Sequence, residues 1–161
     1  MVIGDLFRVG IIGPESTGKS TLARYLAKRY SGVLIREYAR EYVEQKGRTE
    51  LTWDELCELA RHQIAEMETV SHEPSAVSFF DTELIVTKVW FDYAFGQVPD
   101  WLEEAIRTYP MDVYLLTKPD IPWVPDAARS NGSDEIRSEL FDRYEREIQA
   151  TGIPYYIIAH A

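Results

Sequence analysis

The sequence predicts an α/β fold in which helices flank one parallel sheet, and three observations support this fold class. Residues 13–20, GPESTGKS, match the pattern GxxxxGK followed by Ser or Thr, and they stand between an apolar run and a segment of helical periodicity. Short apolar runs alternate with helical patterns along the rest of the chain, which is typical of parallel sheets. A chain of 161 residues has the size of one domain, so we expect residues 1–161 to share a single sheet.

The first strand leads directly into a phosphate-binding loop, which indicates the P-loop NTPase fold. The apolar run 6–12 precedes the motif, and apolar residues recur at helical spacing from Leu22 to Gly32, where we expect the helix to stop. In such a loop the backbone amides and the helix N-terminus face phosphate oxygens, the lysine reaches the β- and γ-phosphates, and the serine hydroxyl ligates Mg²⁺. The residues predicted to bind the nucleotide are Gly13, Glu15, Ser16, Thr17, Gly18, Lys19, Ser20 and Thr21.

A second strand is predicted at residues 33–35, and polar residues follow it. Ligands of open parallel sheets bind beyond the carboxyl ends of the strands, so Glu37, Tyr38 and Arg40 are candidates for substrate contact. Their spacing fits another interpretation equally well, in which Glu37 and Arg40 form a solvent-exposed pair on a short helix. Both interpretations stay open at this point.

A long packing helix is predicted next. Thr52 and Glu55 have the spacing of a capping box, and apolar residues then follow one helical face as far as Val70. We interpret His62 and His72, which lie on or beside this helix, as surface or structural residues rather than metal ligands.

The third strand, residues 76–80, ends in Asp81. Phosphate-loop proteins use a carboxylate at this place to hold Mg²⁺, directly or through water, and Asp81 fits that role. The same carboxylate is a candidate base for an attacking hydroxyl. It is also compatible with capping the helix predicted from Glu83 to Phe95, which would stop at Gly96.

A loop with three prolines follows the fourth strand, residues 113–116. Before that strand, Asp100 and Glu103 have capping-box spacing at the start of a further helix. Because proline cannot continue a helix or enter a central strand, residues 119–125 must form a loop, and we expect a lid at about residues 118–137. Arg129 of this lid is a candidate for stabilising the transferred phosphoryl group.

Arg137 leaves two interpretations open, a role in the lid or a surface ion pair with Asp126, Asp134 or Glu135. It stands on a predicted helix that ends at Gly152 and leads to the fifth strand, residues 155–159. The spacing does not decide between the two.

The composition excludes several classes of protein. With 17 Lys and Arg against 27 Asp and Glu, the formal net charge of −10 disfavours nucleic acid as a partner. The single cysteine, Cys57, excludes disulfides within the chain and cysteine-based metal sites. The sequence contains neither a leader pattern nor a membrane-spanning stretch, so we expect a cytoplasmic protein without a membrane partner.

Taken together, the motifs resemble the ribosylnicotinamide kinase domain of the bacterial NadR family. The matching blocks lie along nearly the whole chain: residues 13–22, 36–40 (REYAR), 80–83 (FDTE), 114–116, 122–126 (PWVPD), 129–130 and 132–133. The resemblance implies an ATP-dependent, Mg²⁺-requiring kinase that phosphorylates the 5′-hydroxyl of nicotinamide riboside. Full-length members also carry a DNA-binding segment and an adenylyltransferase domain, so this chain resembles the kinase part standing alone. The family tends to have Gly where this sequence has Ala127.

Each candidate site residue has an expected role. Trp123 and Tyr38 offer aromatic faces for the pyridinium charge of nicotinamide riboside. Glu37 or Asp81 would serve as the base. The assigned sets are Lys19, Glu37, Asp81 and Arg129 for catalysis; Glu37, Tyr38, Arg40, Asp81, Trp123 and Asp126 for the substrate; and Ser20 and Asp81 for the metal.

Three other functions compete with this hypothesis. Residues 117–120, TKPD, mimic a guanine-reading motif of switch GTPases, but the DxxG motif is missing because Leu84 stands where the glycine should be. A nucleotide-sensing module that binds ATP and regulates a partner is the second. The third is a kinase of the same fold for another nucleoside or a small alcohol, since pocket shape sets that choice. Oligomeric state is left open.

Overall fold

The computed structural model describes residues 6–14, 17–72, 77–119 and 134–159. These residues form a five-stranded parallel sheet in the order β2-β3-β1-β4-β5, flanked by helices. The fold class predicted from the sequence is thereby confirmed. The strands are β1 Phe7–Ile12, β2 Val33–Ile35, β3 Val77–Asp81, β4 Val113–Thr117 and β5 Tyr155–Ile158, and the helices are α1 Lys19–Arg29, α2 Tyr38–Lys46, α3 Trp53–Val70, α4 Leu84–Phe95, α5 Asp100–Thr108 and α6 Asp134–Thr151.

The central strands are apolar on both sides because helices cover both faces of the sheet. Successive residues of β1 illustrate this, since Ile11 and Ile12 are fully buried but belong to different cores. Ile11 packs with Ala23 of α1 and Phe79 of β3, whereas Ile12 belongs to the larger core that α3, α4, α5 and α6 build on the opposite face.

The register of the sheet brings three strand ends to one edge. Ile11 of β1 pairs with Asp81 of β3, and Ile12 pairs with Leu116 of β4. The residues after β1, after β3 and at the end of β4 therefore lie side by side at the carboxyl edge, where ligands of parallel sheets bind.

Local signals explain most helix boundaries. At the start of α3, Thr52 Oγ1 accepts a hydrogen bond from the Glu55 amide and Glu55 Oε1 accepts one from the Thr52 amide, so the predicted capping box is present. Helix α4 ends at Gly96 in the left-handed conformation, as predicted.

Two local predictions were wrong. Helix α1 ends at Arg29, and the left-handed residue after it is Ser31 rather than Gly32. The N-cap of α5 is Pro99, so Asp100 lies inside the helix and makes no capping box. Residues 134–137, which the expected lid includes, form the first turn of α6, the helix predicted to carry Arg137. In the part of the chain described, no helix is long and apolar enough to span a bilayer.

Candidate active site

The phosphate-binding loop presents the start of α1 without a capping side chain. Gly18 is the N-cap with φ 82°, a left-handed conformation that favours glycine, and the first turn of α1 holds no acidic residue. The amides at this helix start are therefore available to an anion. Lys19 is 6% exposed, and its Nζ donates a hydrogen bond to the Pro14 carbonyl at 3.1 Å.

Thr117, at the end of β4, packs against the phosphate-binding loop. A Cβ on Gly13 would lie 1.9 Å from Thr117 Oγ1, so only glycine allows this close approach. The hydroxyls of Thr17 and Thr117 are 2.5 Å apart, and Thr17 Oγ1 also donates to the Pro14 carbonyl at 2.8 Å. Sequence reasoning assigned Thr117 only to a GTPase-like motif. Its position at a strand end beside β1 was the signal for this supporting role.

Ser20 and Asp81 meet at the edge of the sheet. Ser20 Oγ donates a hydrogen bond of 2.6 Å to Asp81 Oδ2, and Asp81 is 5% exposed. The helix N-cap is Glu83 instead, so the capping interpretation of Asp81 was wrong. A hydroxyl and a carboxylate oxygen suit Mg²⁺, which retains several waters and takes few protein ligands. No cluster of three or more His, Cys, Asp or Glu suited to a metal occurs among the described residues.

The turn between β3 and α4 is strained. Thr82 has φ 73°, a conformation that is costly for a β-branched residue, and its amide donates to the Ile11 carbonyl at 3.0 Å. Its hydroxyl is buried and has no hydrogen-bond partner in the described part of the chain. Sequence reasoning passed over Thr82 because a backbone angle cannot be read from a motif.

Glu83, the next residue, is a buried carboxyl at the N-terminus of α4. Burial raises its pKa to about 7, although the carboxylate accepts a hydrogen bond from the Ile85 amide at 2.9 Å. The carboxyl group therefore changes its charge near neutral pH, two residues after Asp81.

A cleft of about 550 Å³ opens beside the phosphate-binding loop. Gly13 and Lys19 form its end at the loop, and α2, α3, α4 and α6 form its walls. Such a volume is typical of small-molecule sites. The wall residues include Glu37, Ala39, Arg40, Val43, Thr49, Glu50, Leu51, Leu56, Leu59, Thr82, Val86, Thr87, Trp90, Tyr93, Ala94, Phe95, Leu140 and Tyr144.

The three substrate contacts predicted after β2 do not all lie in the cleft. Glu37, the N-cap of α2, and Arg40 both line the cleft, and Arg40 Nε also lies 3.3 Å from Glu44. Tyr38 is not among the cleft-lining residues; its ring stacks on His62 with centroids 3.5 Å apart. Burial is the main cause that raises the pKa of the Tyr38 hydroxyl.

Arg137 is 1% exposed, and its Nη1 lies 3.4 Å from Asp134 Oδ1. The predicted ion pair with Asp134 is therefore present, although the arginine itself is buried and only Asp134, at 92% exposed, lies on the surface. The other predicted residues of the loop and lid, Glu15, Ser16, Trp123, Asp126 and Arg129, lie outside the described residues, and their roles stay predictions.

Comparison with known protein families places this geometry in a known group. A family model described as an AAA domain matches residues 8–161. The chain belongs to this family.

The relatives support the resemblance found from the motifs. The "Trifunctional NAD biosynthesis/regulator protein NadR" of Escherichia coli K12 is 31% identical over 135 residues, which are 82% of this chain and 33% of that protein. The protein of the same name from Salmonella typhimurium LT2 is 30% identical over 156 residues, or 95% of this chain and 38% of that protein. The chain thus spans about a third of the length of these relatives, and it is homologous to that part of NadR.

Solved structures agree with this relationship. NadR in complex with NAD and AMP-PNP has a TM-score of 0.76 and 27% identity over 94% of this chain and 44% of that one. NadR in complex with NR gives 0.75 and 26% over 94% of this chain and 45% of that one. Thymidylate kinase from Ehrlichia chaffeensis, at 15% identity and 0.68, covering 97% of this chain and 88% of that one, shares the fold alone. The chain is a P-loop domain, and it shares its fold with NadR and with this kinase.

Proposed function

We propose that the chain is an ATP-dependent kinase that phosphorylates the 5′-hydroxyl of nicotinamide riboside to give nicotinamide mononucleotide. One observation carries the proposal: Lys19 lines a cleft large enough for a nucleoside, and the Ser20–Asp81 pair is formed by the sequence neighbours of the cleft-lining residues Lys19 and Thr82. The homology to NadR, which has been solved with NR and with AMP-PNP, supports the choice of substrates.

The phosphate-binding loop would hold the triphosphate of ATP. Amides at the start of α1 and the Lys19 ammonium would surround the β- and γ-phosphates, for which Lys19 must exchange its bond to the Pro14 carbonyl for phosphate oxygens. Ser20 and Asp81 would hold Mg²⁺, which neutralises charge on the phosphates. Thr117 would keep the loop in place through Thr17.

Glu37 is the better candidate for the base. It lines the cleft at the N-terminus of α2, whereas Asp81 is engaged with Ser20 and would belong to the metal. In the proposed reaction the 5′-oxygen attacks the γ-phosphorus, its proton passes to the Glu37 carboxylate, and ADP leaves. The loose transition state makes positioning and charge stabilisation more important than the strength of the base. Arg129 would stabilise the migrating phosphoryl group.

A substrate panel tests the proposal. The purified protein is incubated with MgATP or MgGTP and with nicotinamide riboside, adenosine, cytidine, thymidine or glycerol, and the products are identified by mass and by ³¹P NMR. We expect nicotinamide mononucleotide as the main product and an Asp81→Asn variant without turnover. The proposal is wrong if nicotinamide riboside is not phosphorylated while another acceptor is.

A further inference from the structure

We propose that the hydroxyls of Thr17 and Thr117 are positioning groups that allow Lys19 to leave the Pro14 carbonyl when a nucleotide binds. The Thr17 hydroxyl keeps this carbonyl hydrogen-bonded after the lysine ammonium turns to the phosphates, and Thr117 fixes the direction in which Thr17 donates. Because it describes how the phosphate-binding loop takes up ATP, this role rests on the proposed function, but it does not depend on the identity of the acceptor.

The Pro14 carbonyl is the group that holds Lys19 in this structure. Both residues are buried, and Lys19 Nζ donates a hydrogen bond to the Pro14 oxygen at 3.1 Å. A lysine that serves the phosphates must give up this bond, and a buried carbonyl that loses its last hydrogen bond costs free energy. A second donor to the same oxygen therefore makes the release of Lys19 easier.

Thr17 supplies this second donor. It is 1% exposed, and its hydroxyl donates to the Pro14 oxygen at 2.8 Å, so the carbonyl accepts hydrogen bonds from both Thr17 and Lys19. A carbonyl oxygen has two lone pairs and can accept both bonds. After the ammonium has moved to the phosphates, the bond from Thr17 remains, and the buried oxygen keeps a partner.

The number of hydroxyl hydrogens fixes the direction of the Thr17 bond. The hydroxyl oxygens of Thr17 and Thr117 lie 2.5 Å apart, and Thr117 Oγ1 also lies 3.3 Å from the Ile12 carbonyl oxygen. Two hydroxyls have two hydrogens for three contacts, so either the Ile12 or the Pro14 carbonyl receives none. The contact of 2.8 Å to Pro14 has the length of an O–H···O hydrogen bond, whereas 3.3 Å is longer than usual. Thr117 therefore donates to Thr17, and Thr17 donates to Pro14.

The sheet holds Thr117 in place. Thr117 is the last residue of β4, it is 1% exposed, and the residue before it, Leu116, pairs with Ile12 of β1. A Cβ on Gly13 would lie 1.9 Å from Thr117 Oγ1, so the end of β4 is in direct contact with the start of the loop. Thr117 also begins the TKPD segment, which the proposed function does not otherwise use. Its contacts give this residue a role in positioning the loop rather than in reading a guanine.

A double-mutant cycle on nucleotide binding tests this role. The dissociation constant of AMP-PNP with Mg²⁺ is measured for the wild type, Thr17→Ala, Lys19→Ala and the double variant, by competition against a fluorescent nucleotide. Thr17→Ala should weaken binding roughly 5- to 100-fold, because Lys19 then leaves a buried carbonyl without a donor. In the Lys19→Ala background the same substitution should change the affinity by less than about twofold, since no lysine has to be released. Equal losses in the two backgrounds would overturn the positioning role.

Two further variants control for the loss of a hydroxyl as such. Thr17→Ser keeps the hydroxyl and should bind AMP-PNP within about threefold of the wild type. Thr151→Ala is the matched control, because Thr151 Oγ1 also donates to the carbonyl three residues before it, that of Ile148, at 2.6 Å. Thr151 is the last residue of α6, so its loss should leave the AMP-PNP affinity unchanged. Circular dichroism and thermal melts verify that each variant folds.

Thr117→Ala decides the matter if Thr17→Ala does not fold or if Lys19→Ala binds too weakly to measure. Without the hydrogen from Thr117, the direction in which Thr17 donates is no longer fixed, so AMP-PNP affinity should fall about 2- to 10-fold. Thr117→Ser should restore it. An AMP-PNP affinity of Thr117→Ala equal to that of the wild type would overturn the positioning role.

These measurements contain no acceptor, so their outcome is separate from that of the substrate panel. If nicotinamide riboside is not phosphorylated but the cycle shows the expected coupling between Thr17 and Lys19, the proposed function fails and the positioning role stands. If nicotinamide riboside is phosphorylated but the coupling is absent, only the positioning role fails. A wild-type protein that does not bind AMP-PNP would overturn both.

Discussion

The two ends of the cleft differ in how they are built. At the phosphate end, short contacts between sequence-distant residues fix the loop before any ligand arrives: Thr17 with Thr117 and Ser20 with Asp81. The other end, called the α4 end here, is bordered by the aromatic side chains of α4, Trp90, Tyr93 and Phe95. These side chains face open space, and Tyr93 and Phe95 are 37% and 39% exposed. This difference indicates that phosphoryl transfer and the choice of acceptor depend on different residues. The phosphate end should control turnover, and the α4 end should control acceptor binding.

The largest effect is expected from Lys19→Ala. Lys19 is the cation between the loop and the cleft, and removing it should lower kcat by about 10²- to 10³-fold for every acceptor. Steady-state kinetics with at least two acceptors measures this loss. A loss confined to one acceptor would mean that Lys19 belongs to acceptor recognition, and the division between the two ends would be wrong.

Gly13→Ala should disturb the packing of the phosphate-binding loop against Thr117. The new Cβ would lie 1.9 Å from Thr117 Oγ1 and 2.8 Å from the Thr117 carbonyl oxygen, so the loop must shift, at a cost of about 1–3 kcal/mol. We expect a lower melting temperature and weaker ATP binding. Gly47→Ala is the control, because no atom lies within 4 Å of its Cβ and only its positive φ is strained. Equal ATP affinities in the two variants would contradict the close approach at Gly13.

Glu83→Gln should change the pH dependence of stability more than activity. The pKa of Glu83 is about 7 in the folded state against 4.5 for the ordinary value, so the folded state binds more protons between these pH values. The contribution of Glu83 to stability is therefore greatest below pH 4.5 and is lost as pH rises through 7, by about 3 kcal/mol at most. The glutamine variant should lack this decline. Chemical unfolding at pH 5 and pH 8 measures it, and parallel declines in both proteins would contradict the assignment.

The smallest effect is expected at the link between α2 and α3, which borders the cleft at Thr49 and Glu50. Two guanidinium nitrogens of Arg48 contact the Glu55 carboxylate at 2.7 and 2.6 Å, and this bond is the main cause that lowers the pKa of Glu55 to about 2. Because the pair is exposed, Arg48→Ala should raise the acceptor KM by less than about threefold.

The pKa of Glu55 is shifted in the opposite direction to the pKa of Glu83. Its contribution to stability is present above pH 4.5 and is lost as pH falls toward 2, so Glu55→Gln should be less sensitive to acid than the wild type. Thermal melts between pH 2.5 and pH 6 measure this difference. An unchanged acid sensitivity would mean that the Arg48–Glu55 contact does not persist in solution.

The phosphate end was predictable because its signals are local. A motif of eight residues gives the loop, and an acid directly after a parallel strand must come to the same edge, so Ser20 and Asp81 could be paired from the sequence. The five strands were predictable for a similar reason, since each is a short apolar run. The order of the strands in the sheet and their register depend on tertiary contacts, which the apolar runs do not encode.

The walls of the cleft could not be predicted, because their residues are spread over four helices. Trp90 and Tyr93 look like ordinary helix residues in the sequence, and only packing places them on the cleft. Tyr38 shows the reverse case, since the motif suggested a substrate contact but its ring lies on His62. The φ of Thr82 and the burial of Arg137 likewise depend on neighbours distant in sequence.

The most direct test of the account is a rate matrix in which ATP and nicotinamide riboside are varied together for the wild type, Lys19→Ala and Trp90→Leu. We predict that Lys19→Ala loses kcat at every riboside concentration, while Trp90→Leu keeps kcat and ATP KM and raises only the riboside KM. Equal losses of kcat in both variants, or a Trp90→Leu enzyme with the wild-type riboside KM, would contradict a cleft divided between chemistry and recognition.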